Sequence, residues 1–178
     1  MKESIIVLYS SKTGFTRRYA ELIAKELDCP ALPLSDAPAD LSQYGAVVFG
    51  SRLRAGFFDG WKKAQKLLSK RGAKKLVVFA TGAMPNEAED QIQKVWEQNL
   101  TPGERKTIPH FYLQAGLCRE KLGAVDNAML NVAAWAMGLK KDKSAEGAAF
   151  ADAISHSYDI SGPAYIRPVV DCLQGLGR

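Results

Sequence analysis

The sequence contains few of the residues that build metal sites and disulfide frameworks. Its 178 residues include three cysteines, Cys29, Cys118 and Cys172, and two histidines, His110 and His156. The cysteine count is odd and no pair has CxxC spacing, so we expect reduced thiols and no metal site. The chain also lacks an apolar run long enough to cross a membrane and lacks the features of a secretory signal. These absences predict a cytoplasmic protein.

Acidic residues are missing from one stretch of a basic chain. The formal net charge is +5, and residues 62–75 hold seven Lys or Arg and no Asp or Glu. This run is either the solvated face of a helix or a surface that attracts anionic partners or an anionic membrane leaflet. Peripheral membrane association therefore stays open. No aromatic side chains interleave with the bases and no recognition motif is present, so no nucleic-acid partner is expected.

Short apolar runs alternate with helical patterns along the chain. Strands are predicted at residues 5–9, 31–34, 46–50, 75–80 and 110–113. Helices are predicted at residues 20–27, 57–68, 87–98, 119–137, 145–155 and 163–173. This alternation predicts an α/β fold with a parallel sheet covered on both faces. We expect one domain over residues 1–178, with a helical insertion at about 117–144.

The loop after the first strand, SSKTGFT, fits a phosphate monoester. A helix start offers unpaired backbone N–H groups and the positive end of the helix dipole. The hydroxyls of Ser11, Thr13 and Thr16 add donors, and Gly14 allows the backbone to approach closely. The loop matches neither the Walker A nor the GxGxxG pattern. The alternative is that these hydroxyls serve only as helix caps.

This loop resembles the FMN-phosphate loop of the flavodoxin family, S/T-x-T-G-x-T, with Lys12 and Phe15 in the free positions. The segments GSRLRAGFF and TGAMP follow the third and fourth strands, where that family places its two ring loops. The resemblance implies a flavodoxin-like three-layer sandwich, with a five-stranded parallel sheet in the order 2-1-3-4-5 and FMN as cofactor. The implied FMN-binding residues are Ser11, Lys12, Thr13, Gly14, Phe15, Thr16, Ser51, Arg52, Leu53, Arg54, Gly56, Thr81, Gly82, Ala83, Met84 and Gly116.

A narrower resemblance concerns the first ring loop. Gly50, Leu53, Arg54 and Gly56 match the pattern G-x-x-[IL]-R-x-G of the flavodoxin-domain subfamily that includes menaquinone-dependent protoporphyrinogen dehydrogenase. That subfamily also has a helical insertion near the last strand. The resemblance implies an FMN-dependent oxidoreductase that passes electrons between an organic substrate, such as a tetrapyrrole, and a quinone or a partner protein.

Two features differ from ordinary flavodoxins, which are strongly acidic and usually stack an aromatic side chain on the flavin from each ring loop. This chain is basic, and the ring loops lack Trp and Tyr, so aromatic contact would come from Phe57, from Phe58 or from outside these loops. Arg52 and Arg54 are expected to face the ring and to stabilise its reduced, anionic form. The alternative for each is a surface salt bridge. Two alternatives to the oxidoreductase remain: an electron-transfer flavodoxin without its own substrate, and an FMN-binding module without turnover.

No general acid or base stands out in the sequence. We expect His110 to be structural, at the start of the fifth strand, and Cys118 to lie near the ring without a catalytic role. Trp96 and Trp135 are expected at helix core positions, and Trp61 beside the first ring loop. An apolar stripe at helical spacing runs from Leu122 to Met137, and it is either packed on the domain or an apolar lid or docking face.

Overall fold

A computed structural model describes residues 4–139 and 152–176 of the chain. Five parallel strands form the main sheet, in the spatial order β2-β1-β3-β5-β6. Their bounds are β1 Ile5–Tyr9, β2 Ala31–Pro33, β3 Ala46–Arg54, β5 Leu76–Gly82 and β6 His110–Gln114. Counted along the chain as parallel strands, this is the order 2-1-3-4-5. The predicted α/β class is confirmed, and the main sheet contains one strand more than predicted, a short strand antiparallel to β3.

Helices cover both faces of the sheet. They are α1 Phe15–Leu27, α2 Trp61–Lys70, α3 Glu89–Asn99, α4 Pro102–Thr107, α5 Ala124–Leu139 and α6 Arg167–Leu176. Successive strand residues point to opposite faces, so Val7 and Tyr9 join a core under α1 and α6. Ile6 and Leu8 join a second core under α2 and α3. The result is a three-layer sandwich whose central strands are apolar on both sides.

The first ring loop is a β-hairpin, which the sequence did not predict. Strand β3 continues to Arg54, and β4 (Phe57–Phe58) returns antiparallel to it. The two turn residues, Ala55 and Gly56, have φ of 50° and 82°, as a two-residue hairpin turn of the primed type requires. Helix α2 therefore begins at Trp61, and the helix predicted from residue 57 was wrong over its first four residues.

Other boundaries differ by a few residues from their predictions. The strand predicted at 31–34 ends at Pro33, and a 3₁₀ turn, Leu34–Asp36, follows it. The helix predicted at 119–137 divides into a 3₁₀ turn, Arg119–Lys121, and α5. Helix α4 was not predicted; a capping box of Thr101 and Glu104 starts it. The helix predicted at 145–155 falls largely outside the described residues.

The chain after β6 leads into helix α5, within the stretch where the helical insertion is predicted. Strand β7 (Gly116–Leu117) pairs antiparallel with β8 (Tyr158–Asp159), and α5 lies between them in sequence. Gly116 has φ of 132°, and a Cβ there would lie 2.2 Å from the Tyr158 carbonyl oxygen. A glycine is therefore needed where the insertion leaves the sheet.

Candidate functional site

The loop after β1 leads into an uncapped helix N-terminus at the carboxyl edge of the sheet. Gly14 is the N-cap residue of α1, with φ of 100°, and no side chain among the described residues caps this end. The backbone N–H of Gly14 instead donates to Ser11 Oγ over 3.2 Å. The first turn of α1 contains no acidic side chain. This loop thus presents backbone donors and a positive dipole end, as a phosphate monoester requires.

The loop separates two cavities. An open cleft of about 750 Å³ lies along the ends of β1 and β2, with apolar walls that include Leu34 and Leu67. Four cations line it: Lys12, Arg17, Lys63 and Lys121. Asp59 is the acidic side chain on its lining. The cleft is therefore positively charged, which favours anionic groups beside the loop.

A smaller cavity of about 70 Å³ lies on the other side of the loop, between the two predicted ring loops. Its lining takes Thr13 and Phe15 from the loop, Arg52 and Leu53 from β3, Thr81, Gly82 and Ala83 from β5 and its loop, and Ala115, Gly116, Leu117, Cys118 and Leu122 from the insertion. Thr13 lines both cavities. The predicted loops are thus brought together, with the start of the insertion packed against them.

The first ring loop is tied to the insertion by a shared carboxylate. Asp126 of α5 accepts from Arg52 Nη2 over 2.8 Å and from Arg54 Nε over 2.6 Å, and it lies 3.5 Å from Lys12 Nζ. Asp126 is 7% exposed. The hydrogen bonds from Arg52 and then Arg54 hold the pKa of this carboxyl well below its usual range.

Arg52 has a second partner in Asp59, at 3.0 Å. The cluster therefore contains three cations, Lys12, Arg52 and Arg54, and two carboxylates, and it retains one positive charge in excess. Both arginines are ion-paired, as the alternative for each states, and their orientation toward a bound ring stays a prediction. The net charge of this cluster is therefore positive, but the two carboxylates neutralise most of its positive charge.

Tyrosine hydroxyls hold the second ring loop in place. Tyr112 of β6 donates to the Met84 carbonyl over 2.8 Å, and Tyr158 of β8 donates to the Ala83 carbonyl over 2.9 Å. Burial raises the pKa of both phenols. Gln114 adds a bond to the Asn86 backbone N–H over 2.9 Å. Both the sheet and the insertion thus fix the backbone of this loop.

Two predicted binding residues point away from the cavities. Thr16 is 2% exposed, and its hydroxyl shares a 2.8 Å hydrogen bond with Thr81 between α1 and β5. Ser51 is 1% exposed and donates to the Asp59 carbonyl over 2.8 Å, closing the base of the hairpin. These two hydroxyls brace the loops that carry the other predicted residues.

Some aromatic side chains lie where the sequence predicts, and others do not. Trp61 and Phe58 are buried in the core, where their rings pack against each other and against Phe49, so Phe58 offers no ring face to a ligand. Phe57 is 61% exposed at the hairpin. Trp96 is buried as predicted, and its ring lies beside that of His110, which begins β6 as predicted. Trp135 is 67% exposed, so its predicted core position was wrong.

Sequence reasoning missed Asp126, Lys121 and Leu122, the residues by which the insertion closes on the loops. One signal was present: Asp126 is the single charged residue among the 16 residues of α5. A lone acid in an apolar helix, together with two arginines elsewhere at a sheet edge, indicates an ion pair.

Within the described ranges, no helix is both long and apolar enough to cross a membrane.

Solved flavodoxins are among the structures to which this chain is similar. The chain is similar to a solved flavodoxin from the domain Archaea, at 16% identity over 86% of this chain and 99% of that one, with a TM-score of 0.41. It is also similar to oxidised Flavodoxin 2 from Bacillus cereus, at 18% identity over 85% and 97% of the two chains, with a TM-score of 0.39. No match was found among curated protein sequences. The family model of the flavodoxin domain matches residues 6–144. The chain therefore belongs to the flavodoxin-domain family, whose cofactor is FMN.

Proposed function

We propose that this protein is an FMN-dependent oxidoreductase that transfers electrons between an organic substrate and a quinone or partner protein. The single observation that supports this choice is the insertion held over the ring loops. Leu117, Cys118 and Leu122 line the cavity between those loops, and the Asp126 ion pairs hold α5 beside it. A walled cavity suits a protein that selects an organic substrate, whereas a carrier needs an open flavin edge.

The residues of the loop fit the phosphate of FMN. Backbone N–H groups at the start of α1 and the hydroxyl of Thr13 would bind it, with Lys12 supplying charge nearby. Leu53 and Ala83 of the ring loops and Leu122 of the insertion would give the isoalloxazine an apolar setting. When bound, FMN supplies the redox chemistry, and the protein supplies orientation, electrostatics and exclusion of water.

The alternative is an electron-transfer flavodoxin without its own substrate. The exposed Phe57 on the hairpin is compatible with docking of a partner protein. The finer resemblance, to the subfamily of menaquinone-dependent protoporphyrinogen dehydrogenase, stays a proposal carried by the loop pattern Gly50 to Gly56 and by the presence of the insertion.

Titration of the flavin-free protein with FMN and with riboflavin tests the site. Because riboflavin lacks the phosphate, we expect it to bind about tenfold or more weakly, as the loss of charge-assisted hydrogen bonds implies. Quenching of flavin fluorescence gives both affinities. Equal affinities, or no FMN binding, would contradict the proposed phosphate site.

Reductive titration of the FMN-loaded protein separates the two functions. Uptake of two electrons at one potential supports the oxidoreductase, since an organic substrate gives up electrons in pairs. Two well-separated one-electron steps support the carrier. The measurement is made on the absorbance spectrum under controlled potential, with free FMN as the reference.

A further inference from the structure

Helix α5 presents an uncharged apolar face to solvent. Among the described residues, five large hydrophobic side chains are exposed, and four of them belong to this helix: Val125 (67%), Met129 (41%), Val132 (63%) and Trp135 (67%). Their spacing places them on one stripe of the helix. We call these four residues the α5 face.

The other helices show what an ordinary exposed face looks like in this protein. The exposed positions of α2 include Lys62, Lys63 and Lys66, and those of α1 include Arg17 and Glu21. In α5 the one charged residue, Asp126, is turned inward to the arginines of β3. Exposure of the α5 face to water is therefore unfavourable, and burial of this face against another surface would be favourable.

Cations lie beside the start of this helix. A Cβ added to Gly14 would lie 4.0 Å from Lys121 Nζ, and one added to Gly123 would lie 3.4 Å from Lys12 Nζ. Arg17 and Lys63 line the same cleft as these two lysines. An apolar helix face next to a group of lysines is the combination that binds a bilayer carrying anionic lipids.

We propose that the α5 face docks on the surface of an anionic phospholipid bilayer. Trp135 and the aliphatic side chains would enter the headgroup region, while the neighbouring cations face lipid phosphates. The ring-loop hairpin would then lie close to the membrane, because Arg54 Nη2 is 3.8 Å from the Met129 sulfur and Phe57 is the ladder partner of Arg54. This docking rests on the α5 face and the cations beside it and does not require the proposed function.

Two other occupants fit the observations less well. A second copy meeting the same patch across a two-fold axis would bring the cations of both copies together, which opposes association. A small apolar ligand needs a concave site, whereas the α5 face lies on the outside of a helix. An anionic bilayer satisfies both the apolar area and the charge.

Tryptophan fluorescence provides a direct readout of docking. Trp61 and Trp96 are 5% and 4% exposed, so a change of emission on adding vesicles reports mainly on Trp135. We expect a blue shift and co-sedimentation with vesicles of phosphatidylcholine and phosphatidylglycerol. Weaker binding is expected with phosphatidylcholine alone or at high salt, because screening reduces the attraction.

Val132→Glu and Gln174→Glu form a matched pair of variants. Each adds one negative charge at an exposed helix position, but Gln174 lies on α6. Val132→Glu should weaken vesicle binding about tenfold, since a buried charge in the bilayer interface opposes insertion, and Gln174→Glu should change it little. Equal effects of the two variants would overturn the proposal.

Two further outcomes would also overturn it. In the first, the protein is monomeric and does not bind vesicles, so the α5 face does not dock on a bilayer. Concentration-dependent dimerisation that Val132→Glu abolishes, with no vesicle binding, would assign the face to a second copy. Both flavin-free and FMN-loaded protein are used, so that failure of flavin binding does not affect the result.

Discussion

Thr13 and Thr16 lie three residues apart at the start of α1, and their hydroxyls face different surroundings. Thr13 lines both cavities, whereas Thr16 is buried against Thr81. We expect Thr13→Ala to weaken FMN binding by about 1–2 kcal/mol through the loss of one hydrogen bond to the phosphate. Its free energy of unfolding without FMN should hardly change. Fluorescence titration and urea unfolding measure the two quantities.

Thr16→Ala is the matched control, and we expect the opposite pattern. It removes a buried hydrogen bond and leaves the Thr81 hydroxyl without this partner, which costs about 1–3 kcal/mol of stability. A loss of FMN affinity in Thr16→Ala as large as that in Thr13→Ala would show that both hydroxyls contact the phosphate.

At the scale of single residues, the loop pattern indicates which positions matter but not what each does. Gly50 belongs to the ring-loop pattern, but packing explains why a glycine is needed there. A Cβ at this position would lie 2.0 Å from the Phe79 ring. Ser51 and Thr16 brace the loops from inside. A sequence pattern indicates which residue type is needed at a position. Whether that side chain points toward a ligand or toward the core depends on tertiary contacts.

At the scale of elements, α5 is held to the sheet by charge rather than by a buried apolar stripe. We expect Asp126→Asn to loosen this helix, because the neutral amide loses the attraction of Arg52 and Arg54. Hydrogen–deuterium exchange should rise several-fold in residues 119–135 and stay unchanged in β1 and β3. Unchanged exchange in α5 would show that apolar contacts alone hold it.

Asp159→Asn is the matched control for this test. Asp159 accepts from Arg18 over 2.8 Å, but both side chains are about half exposed, and exposed ion pairs contribute little. Exchange in α5 should therefore stay near that of the unmodified protein.

The buried strands and most helices could be predicted from the sequence because period and hydrophobicity mark them directly. The extension of β3 could not, since Ser51 to Arg54 are mostly polar. Ser51 and Arg52 pair with β5, whereas Leu53 and Arg54 pair with the two residues of β4. The orientation of α5 could not either. An almost uniformly apolar helix has no polar side to indicate which face is buried, and the ion pair that orients it joins residues 72 and 74 positions apart.

At the scale of the whole molecule, the order of the parallel strands follows from the family resemblance, and the sandwich follows from the alternation of elements. The structure shows where the basic residues of the run 62–75 lie. The basic run of residues 62–75 places Lys62, Lys63, Lys66 and Lys70 on the exposed side of α2, and Lys63 joins the cleft beside the phosphate loop. The two alternatives for this run, a solvated face and an anion-attracting surface, thus describe different parts of the same helix.

Two groups of side chains set the pH range over which the fold is stable. The pKa of Asp126 is lowered by Arg52 and Arg54, and that of Glu120 by Ser157. Carboxyls with a lowered pKa stabilise the fold above their unfolded values and lose that contribution as the pH falls. Burial raises the pKa of Tyr19, Tyr112 and Tyr158. Phenols with a raised pKa stabilise the fold below their unfolded value and lose that contribution as the pH rises.

We therefore expect the free energy of unfolding to be nearly constant between about pH 5 and pH 9 and to fall on both sides, given the unfolded pKa values of carboxyls and phenols. Urea unfolding across this range measures the profile. Asp126→Asn should flatten the acid limb and leave the alkaline limb unchanged, because Asp126 titrates only at the acid end. Tyr112→Phe should do the reverse, since it removes the most strongly shifted phenol. If either variant flattened both limbs equally, the two limbs would reflect net charge rather than these local contacts.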